Sequence, residues 1–340
     1  MSAAKDGCLQ IMNNNNYTLN SSYQANYNSL DLSGNPEMIF YKAYKLNVMT
    51  HGLIEYTCSS TPMSGISKDA FDAYLFNDGK PLSLTSLDKN DAAFYQKGTK
   101  TVAGKTVEYN VMNLNKVLAT RDKRLAASID TCLCYKGRTF VRFNVGMAMT
   151  SASGYGVSKF DNSSISVGNR NTGGNNETDA PLYWLSVIYL EYAEACAELG
   201  TVTQNDLDIS INKVKARAGL PSLTVNVGFN DPANNMNVSS LIWEIRRERR
   251  CETMYDNNYR YWDLIRWHQL DKLDSSRYPN ILLGANVQND PSAASNLTLS
   301  GNYINGTMGK VRTFDKKYYL FPVPSGQITL NTQLSQNPGW

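Results

Sequence analysis

Two pairs of helices in the second half of the chain constrain the fold more than any other feature. The first helix of residues 181–222 spaces its apolar side chains three or four positions apart: Leu185, Ile188, Tyr189, Tyr192, Ala193, Cys196 and Leu199. Gly200 ends this helix, and a second one follows from about Asn205 to Gly219. Because one helical hairpin cannot bury its apolar face alone, it must pack against other parts of the chain.

Residues 239–273 predict the second pair of helices. Ser240 is placed to cap the first of them, and Trp262 and Ile265 lie on one face of the second. Arg260, Asp263 and Arg266 follow one another at three-residue intervals, which predicts a row of ion pairs along one side of the helix. Two such pairs indicate a mainly helical architecture.

Residues 1–180 predict a mixed, loop-rich region. The segments Glu37–Lys45 and Thr139–Met147 have the β-branched and aromatic content of strands, and Ser67–Phe76 predicts a short helix capped by its serine. Residues 150–180 are rich in Gly, Ser and Asn, and loops of this length are commonly functional or disordered. We therefore expect ligand loops within 1–180 and a helical region with a terminal tail in 181–340, both within one continuous structural unit.

Charge and cysteine content exclude several classes of protein. The 33 basic and 30 acidic residues nearly cancel, so no strong attraction to nucleic acid follows. The six cysteines form no CxxC pair, and with two histidines in the chain we expect no metal site. Cys196 and Cys251 fall on apolar helix positions and predict buried thiols. Cys132 and Cys134 share one side of a predicted strand and should be free thiols.

The sequence offers little support for catalysis. It contains no GxSxG elbow, HExxH motif, Walker loop or GxGxxG after a strand, and a histidine-dependent triad would need His51 or His268. Glu248 and Glu252 could form the carboxylate pair of a glycoside hydrolase, but the arginines beside them favour ion pairing. We predict that the protein is not an enzyme.

Three segments in series carry a family resemblance. They are the hairpin Tyr183–Pro221, the segment Glu248–Trp267 with its sequence ERRCETMYDNNYRYWDLIRW, and the ending Tyr319–Trp340 with Pro-x-Pro and Gln-Asn-Pro-Gly-Trp. A weaker match lies at Ala119–Ile129, ATRDKRLAASI. Their order and spacing resemble the SusD/RagB family of nutrient-uptake outer-membrane lipoproteins.

The resemblance implies a SusD-like fold, mainly α with irregular and short β segments, in which tetratricopeptide-like hairpins pack against a loop-rich part. It also implies non-catalytic capture of an oligosaccharide or polysaccharide on the surface side of the outer membrane. Import would then proceed through a SusC-like TonB-dependent transporter. No cofactor is implied; structural calcium stays open, as does a peptide in place of the glycan.

The chain departs from the family pattern in three places. Asp256–Asn257 stands where Glu-Gly is usual, in an interval one residue longer than the common form, and Gln327 stands where a Glu is frequent. Residues 1–10 lack the features of a signal peptide, and Cys8 lacks the preceding apolar run of a lipoprotein signal. We expect the chain to be the C-terminal two-thirds of such a protein, truncated at its N-terminus. Membrane contact would then be made only through a lipid anchor that this sequence does not contain.

Aromatic side chains are the expected means of sugar binding, because a flat ring packs on sugar C–H groups while its polar edge finds a hydrogen bond. The tryptophans lie inside the helical and terminal motifs, where core or interface roles are expected: Trp184, Trp243, Trp262, Trp267 and Trp340. The ligand-binding candidates lie on or beside the irregular middle segment: Tyr135, Phe143, Tyr155 and Phe160.

Two other functional classes stay open on the sequence. One is a helical-repeat module that binds another protein and no sugar. The other is a glycoside hydrolase that uses two buried carboxylates, whose separation in space cannot be read from their spacing in the chain.

Overall fold

The computed structural model describes residues 1–58, 64–87, 95–102, 104–137, 140–141, 148–288 and 290–340. Over these residues the chain is mainly helical. The α-helices are α1 (Ser2–Met12), α2 (Ala25–Asn28), α3 (Leu53–Cys58), α4 (Lys68–Ala73), α5 (Leu114–Leu118), α6 (Lys123–Ser128), α7 (Val167–Asn171), α8 (Leu185–Glu198), α9 (Gln204–Asp208), α10 (Ile211–Arg217), α11 (Ser240–Glu252), α12 (Tyr259–Arg266), α13 (Pro291–Asn296) and α14 (Ser325–Leu330). Short 3-10 helices span Leu270–Leu273, Pro279–Ile281 and Lys316–Tyr319.

The strands are short and antiparallel. They are β1 (Met38–Lys42), β2 (Tyr95–Val102), β3 (Lys105–Met112), β4 (Phe140–Val141), β5 (Ala148–Met149), β6 (Ala180–Trp184), β7 (Leu283–Asn286), β8 (Leu299–Ser300) and β9 (Tyr303–Asn305). β1 pairs with β6, β2 with β3 and β4 with β5, while β7, β9 and β8 form a three-stranded sheet in that order. The described strands form no closed sheet, and the expected mainly α architecture with short β segments is confirmed.

Helix α8 is the centre of the helical region. Its side chains from Leu185 to Leu190 are buried without interruption, because α1, α10 and α11 pack around it. α1 covers one face, where Cys8 joins a cluster with Ile188 and Tyr192. The two helix pairs therefore pack against each other and against the rest of the chain. This packing covers the apolar face that a single hairpin could not bury alone.

Local boundaries differ from the sequence expectations in three places. The second helix of the first pair is interrupted between α9 and α10. Ser239, rather than Ser240, caps α11, since its hydroxyl accepts a hydrogen bond from the amide of Ile242 at 3.3 Å. Cys132 lies in a bend and Cys134 in irregular backbone instead of a strand, and neither forms a disulfide.

The terminal tail lies on the surface. Every residue from Met308 to Trp340 is half-buried or exposed. The tail is attached through Phe314 and Tyr319, which pack on a small apolar cluster around Leu264, and it closes on itself where the indole of Trp340 donates a hydrogen bond to the carbonyl of Leu320 at 3.0 Å. No helix among the described residues has the length and apolar content needed to cross a membrane.

Candidate functional site

The predicted ligand-binding aromatics lie in the core. Tyr135, Tyr155 and Phe160 are 0%, 2% and 6% exposed, and Phe143 lies outside the described residues. Burial of this kind limits the contact that any of the three rings can make with a polymer. Their part in ligand binding stays a prediction.

The burial of this segment has a clear cause in its small residues. Gly154 adopts a φ of +86° and lies so close to Ala285 that a Cβ on the glycine would meet the alanine Cβ at 2.9 Å. One residue earlier, the carbonyl of Ser153 accepts a hydrogen bond from the amide of Ala285 at 2.7 Å. The Gly- and Ser-rich stretch thus packs tightly under β7. Its composition is typical of a surface loop, but here the small residues allow close contact between backbones.

Tyr155 nevertheless lines a cavity of about 180 Å³. Its ring stacks on Phe71 with centroids 4.5 Å apart and planes at 7°. Two further rings, those of Phe76 and Tyr303, complete the aromatic part of the wall. The remaining lining residues are Lys68, Asp72, Leu82, Met112, Val117, Thr120, Arg121 and Asn286. The cavity therefore combines four aromatic rings with a small set of polar groups, which is the composition of a small-molecule site.

Arg121 supplies the main polar group of this aromatic cavity. Its Nη2 donates to the carbonyls of Phe71 and Tyr74 at 3.0 and 2.7 Å, and its guanidinium carbon lies 4.2 Å from the ring centroid of Phe76. Its Nε is buried and has no hydrogen-bond partner among the described residues. Burial lowers the pKa of Arg121, against the opposing influence of the Asp72 carboxylate. The guanidinium thus keeps one buried N–H whose hydrogen-bonding capacity the described residues do not use.

A larger cavity of about 480 Å³ adjoins the aromatic one. The two share Asp72 and Leu82 in their walls. Trp243 and Tyr278 contribute rings to the larger cavity, and several arginines extend into its lining. The two cavities are therefore neighbours, with Asp72 and Leu82 on their common boundary.

The residues that carry the family resemblance meet at a buried charge network. Glu252 of α11 lies 2.9 Å from the Nη1 of Arg124 and also pairs with the Nη2 of Arg217. The same Nη1 of Arg124 is 2.7 Å from Glu248, and Arg217 is 2.6 Å from Glu37. Four segments far apart in sequence are thereby joined: those of Glu37, Arg124, Arg217 and Glu248–Glu252.

This network answers the question of a catalytic carboxylate pair. Burial alone would raise the pKa of Glu252, but the charges of Arg217 and Arg124 outweigh it and hold the pKa below its usual value. A glycosidase acid needs a raised pKa to donate a proton near neutrality. Glu248 and Glu252 are ion-paired, as predicted, but their partners are Arg124, Arg217 and Lys215 and not the arginines beside them in the sequence.

The expected ion-pair row on α12 forms only in part. Asp263 lies 2.9 Å from Arg266 and 2.8 Å from Arg249, and Arg266 reaches Glu194 at 2.6 Å. Arg260 does not join the row, because no carboxylate of the described residues lies within 4.0 Å of it. It lines the larger cavity instead.

The position that departs from the family pattern also holds a buried ion pair. Asp256 accepts hydrogen bonds from Lys159 Nζ at 2.8 Å, and the same ammonium lies 3.6 Å from the ring centroid of Tyr27. Burial raises the pKa of Asp256 to about 6, although Lys159 opposes the shift. The pair connects the irregular first half of the chain with the turn after α11.

Neither histidine is placed for catalysis. The Nε2 of His51 lies 2.9 Å from the carbonyl oxygen of Thr178, and its Nδ1 accepts a hydrogen bond from the amide of Leu53 at 3.1 Å. Burial lowers the pKa of His51, which favours the neutral imidazole that these two bonds require. His268 packs against Tyr319 at the base of the tail. In the described part of the chain, no group of three or more His, Cys, Asp or Glu side chains could hold a metal ion.

The tryptophans divide into three environments. Trp184 and Trp267 are buried, at 0% and 9% exposure, and Trp243 lines the larger cavity. Trp262 and Trp340 are 51% and 42% exposed, so they are not core residues. The sequence spacing alone did not separate these cases.

Comparisons with known proteins define the family. The model described as the SusD family matches residues 13–340, and the chain therefore belongs to the SusD family. No curated protein sequence matches the chain.

Solved structures confirm the SusD-like fold. A SusD-like carbohydrate-binding protein from Bacteroides fragilis is 21% identical with a TM-score of 0.69, and the match covers 98% of this chain and 61% of that one. A second SusD-like protein from the same organism is 21% identical with a TM-score of 0.60, over 99% of this chain and 61% of that one. This chain thus spans about 61% of the length of these two structures.

Sequence reasoning missed most of the aromatic cavity. Phe71 was assigned to a short helix, Arg121 to a motif of the resemblance, and Phe76 and Tyr303 to no site. These residues come from three segments more than thirty positions apart, so no local pattern joins them. The nearest local signal for this cavity was Arg121, because it lies in Ala119–Ile129, a segment that carries part of the family resemblance.

Proposed function

We propose that this protein is a non-catalytic glycan-binding protein that captures an oligosaccharide or polysaccharide at the cell surface. The observation that carries the proposal is the aromatic cavity of Phe71, Phe76, Tyr155 and Tyr303, found in a chain of the SusD family. Rings provide apolar faces for sugar C–H groups, and the free Nε of Arg121 provides a donor for a hydroxyl oxygen. The similar Bacteroides fragilis structure is described as a carbohydrate-binding protein, which supports the same function here.

The proposal extends to location and partner. We propose that the protein acts on the surface side of the outer membrane and delivers its glycan to a SusC-like TonB-dependent transporter. Family membership supports this assignment. Co-expression of the chain with a SusC-like transporter, followed by affinity purification and gel filtration, tests it. Co-elution in a fixed ratio is expected, and separate elution of two folded proteins contradicts the partnership.

Binding to a panel of polysaccharides tests glycan capture. In native affinity electrophoresis, a polysaccharide cast in the gel should retard the protein, and calorimetry with the same polymer should give a saturable signal. Reducing ends that accumulate with time would mean hydrolysis and would contradict a non-catalytic role. Failure of a demonstrably folded protein to bind any glycan would contradict capture and favour a protein-interaction module.

A matched pair of tyrosine variants tests the aromatic cavity itself. Tyr303→Ala removes one ring from the wall and should weaken glycan binding by about tenfold, since stacking on an aromatic ring contributes about 1 kcal/mol beyond burial. Tyr56→Ala removes an exposed ring that does not line either cavity, and it should leave the dissociation constant unchanged. Equal effects of the two variants would exclude this cavity as the binding site.

A further inference from the structure

The lining of the larger cavity is strongly basic. Six basic side chains face three acidic ones, whereas the whole chain carries 33 basic and 30 acidic residues. The basic set is Arg246, Arg247, Arg250, Arg260, Lys272 and Arg277, and the acidic set is Asp69, Asp72 and Asp231. The excess of positive charge is concentrated in this cavity, so its occupant must be considered separately from that of the aromatic cavity.

Ion pairs inside the protein neutralise only part of this charge. Arg247 pairs with Asp231 and with Glu244, and Arg250 lies 2.6 Å from Asp69. These contacts use two of the three acidic side chains in the wall.

Arg260 forms no close ion pair in this wall. No carboxylate in the described part of the chain lies within 4.0 Å of its guanidinium, although Asp69 and Asp263 lie near enough to attract it and Arg250 near enough to repel it. Burial, together with the repulsion from Arg250, lowers the pKa of Arg260 to about 9. A half-buried guanidinium without a carboxylate in direct contact favours an anion as its partner.

A second arginine in the wall can contact the same occupant. Arg277 is 62% exposed, and its nearest carboxylate, that of Asp271, is 3.9 Å away. It can therefore direct N–H groups towards a ligand without breaking a close ion pair. Arg246 is 8% exposed and lies 3.0 Å from Glu198 through its Nη2, so it contributes charge to the wall.

We propose that this basic cavity binds an anionic sugar residue of the captured glycan, through the carboxylate or sulfate ester group that the residue carries. The planar guanidinium groups match the paired oxygens of either anion. The rings of Trp243 and Tyr278 and the amides of Asn235 and Asn280 stand in the same wall and suit the sugar that bears the charge. The inference rests on glycan capture as the function. It places a neighbouring residue of the same polymer in the aromatic cavity, whose wall shares Asp72 and Leu82 with the basic cavity.

Polysaccharides that differ only in charge test the proposal. Polygalacturonate is compared with its carboxyl-reduced form, and dextran sulfate with dextran, by calorimetry at low and at physiological ionic strength. Tighter binding of the charged member of at least one pair, with affinity that falls as salt rises, is expected. A preference for the carboxylate pair or for the sulfate pair identifies the anionic group, and either supports the proposal.

Arg260→Met removes the charge that has no close ion pair while keeping a long apolar side chain. Affinity for the charged polymer should fall by about tenfold or more, as expected for the loss of a charge-assisted hydrogen bond. Thermal stability should stay equal or rise slightly, because Arg260 is half-buried and forms no close ion pair that the substitution would break. A residue that is merely structural would not show weaker binding together with unchanged or higher stability.

Arg277→Met provides a second variant at an exposed position where folding is not at risk, and Lys213→Met is the matched control. Lys213 is exposed on α10 and absent from the cavity wall, so removing its charge should leave binding unchanged. The proposal is overturned if both arginine variants bind the charged polymer like the wild type. It is also overturned if only neutral polymers bind and Tyr303→Ala abolishes that binding. In that case the anionic-sugar proposal fails, while glycan capture as the function is supported.

Discussion

Glu252 shows how single residues hold this fold together. It is fully buried, it pairs with Arg124 and Arg217, and it accepts a hydrogen bond from Ser186 Oγ at 2.8 Å. A buried ion pair is a weak argument for net stability, since desolvation offsets much of the attraction. Its value here is geometric, because it joins α6, α8, α10 and α11 at one buried point. The network thus accounts for why these charged residues stand inside a core.

Glu252→Gln should destabilise the protein by about 3–5 kcal/mol near pH 7, because two buried guanidinium groups lose their shared counter-charge. The pKa of Glu252 is lowered below its usual 4.5 in the folded state. Its ionisation therefore contributes stability that is present above pH 4.5 and lost as the pH falls through the folded pKa. Urea unfolding at several pH values should show a flatter acid dependence in the variant.

The control for this substitution is Glu108→Gln, at an exposed carboxylate of β3. A change of surface charge of this kind should alter the free energy of unfolding by about 0.5 kcal/mol or less. If the two variants lose similar amounts of stability, the buried network does not contribute in the way described.

At the scale of elements, the turn between α11 and α12 is the most constrained connection. Tyr255, Asn257 and Asn258 adopt positive φ values of 70°, 41° and 58°. Asparagine tolerates this left-handed region better than other residues with a Cβ, which explains why it can stand where glycine is usual in the family. The amide of Asn257 also donates to the carbonyl of Pro181 at 3.2 Å and so ties the turn to β6.

Asn258 allows the cost of this turn to be measured, because its side chain makes no capping hydrogen bond at the start of α12. Asn258→Ala should lower the free energy of unfolding by about 1 kcal/mol, since alanine is strained at positive φ. Asn258→Gly should be close to neutral, because glycine enters this region freely but loses more chain entropy on folding. Chemical unfolding of both variants provides the measurement, and a larger loss for glycine than for alanine would contradict the argument.

At the scale of the whole molecule, contacts cross the boundary at residue 180 in several places. Lys159 pairs with Asp256, Tyr23 donates to the carbonyl of Glu252 at 2.9 Å, and the ring of Tyr27 meets Trp184 edge-on at 5.8 Å. The largest apolar cluster likewise contains residues from both halves. We therefore propose that residues 1–180 and 181–340 unfold as one unit.

The positions of the tryptophans make this proposal testable without mutation. All five lie in 181–340, so tryptophan fluorescence during urea unfolding reports mainly on that half, although Trp184 also contacts Tyr27 of the other. Cys134 is buried in the other half, and its labelling by a thiol reagent, followed by mass spectrometry, reports on residues 1–180. The two midpoints should coincide, with labelling of Cys251 as the internal control. Two separate transitions would show independent domains.

The sequence alone determined the helical half of this protein. Apolar residues at helical spacing predicted α8, a serine cap predicted the start of α11 to within one residue, and the motifs around Glu252 indicated the family and ion pairing. These features are local, because helix periodicity and neighbouring charges are read within about ten residues. The short helix α4 was predicted from equally local features, chiefly the serine at its start. In the structure the side chain of Ser67 accepts a hydrogen bond from the amide of Ala70.

Only the tertiary structure decided where a ligand could bind. The Gly- and Ser-rich stretch around Tyr155 has the composition of a loop, yet it packs in the core because small residues allow close backbone contact with β7. The aromatic cavity forms where Phe71, Arg121 and Tyr303 meet from distant segments. The basic cavity also forms between distant segments, and Arg260 in its wall has no close ion pair. Burial and pairing of this kind depend on long-range packing, which no periodicity in the sequence encodes.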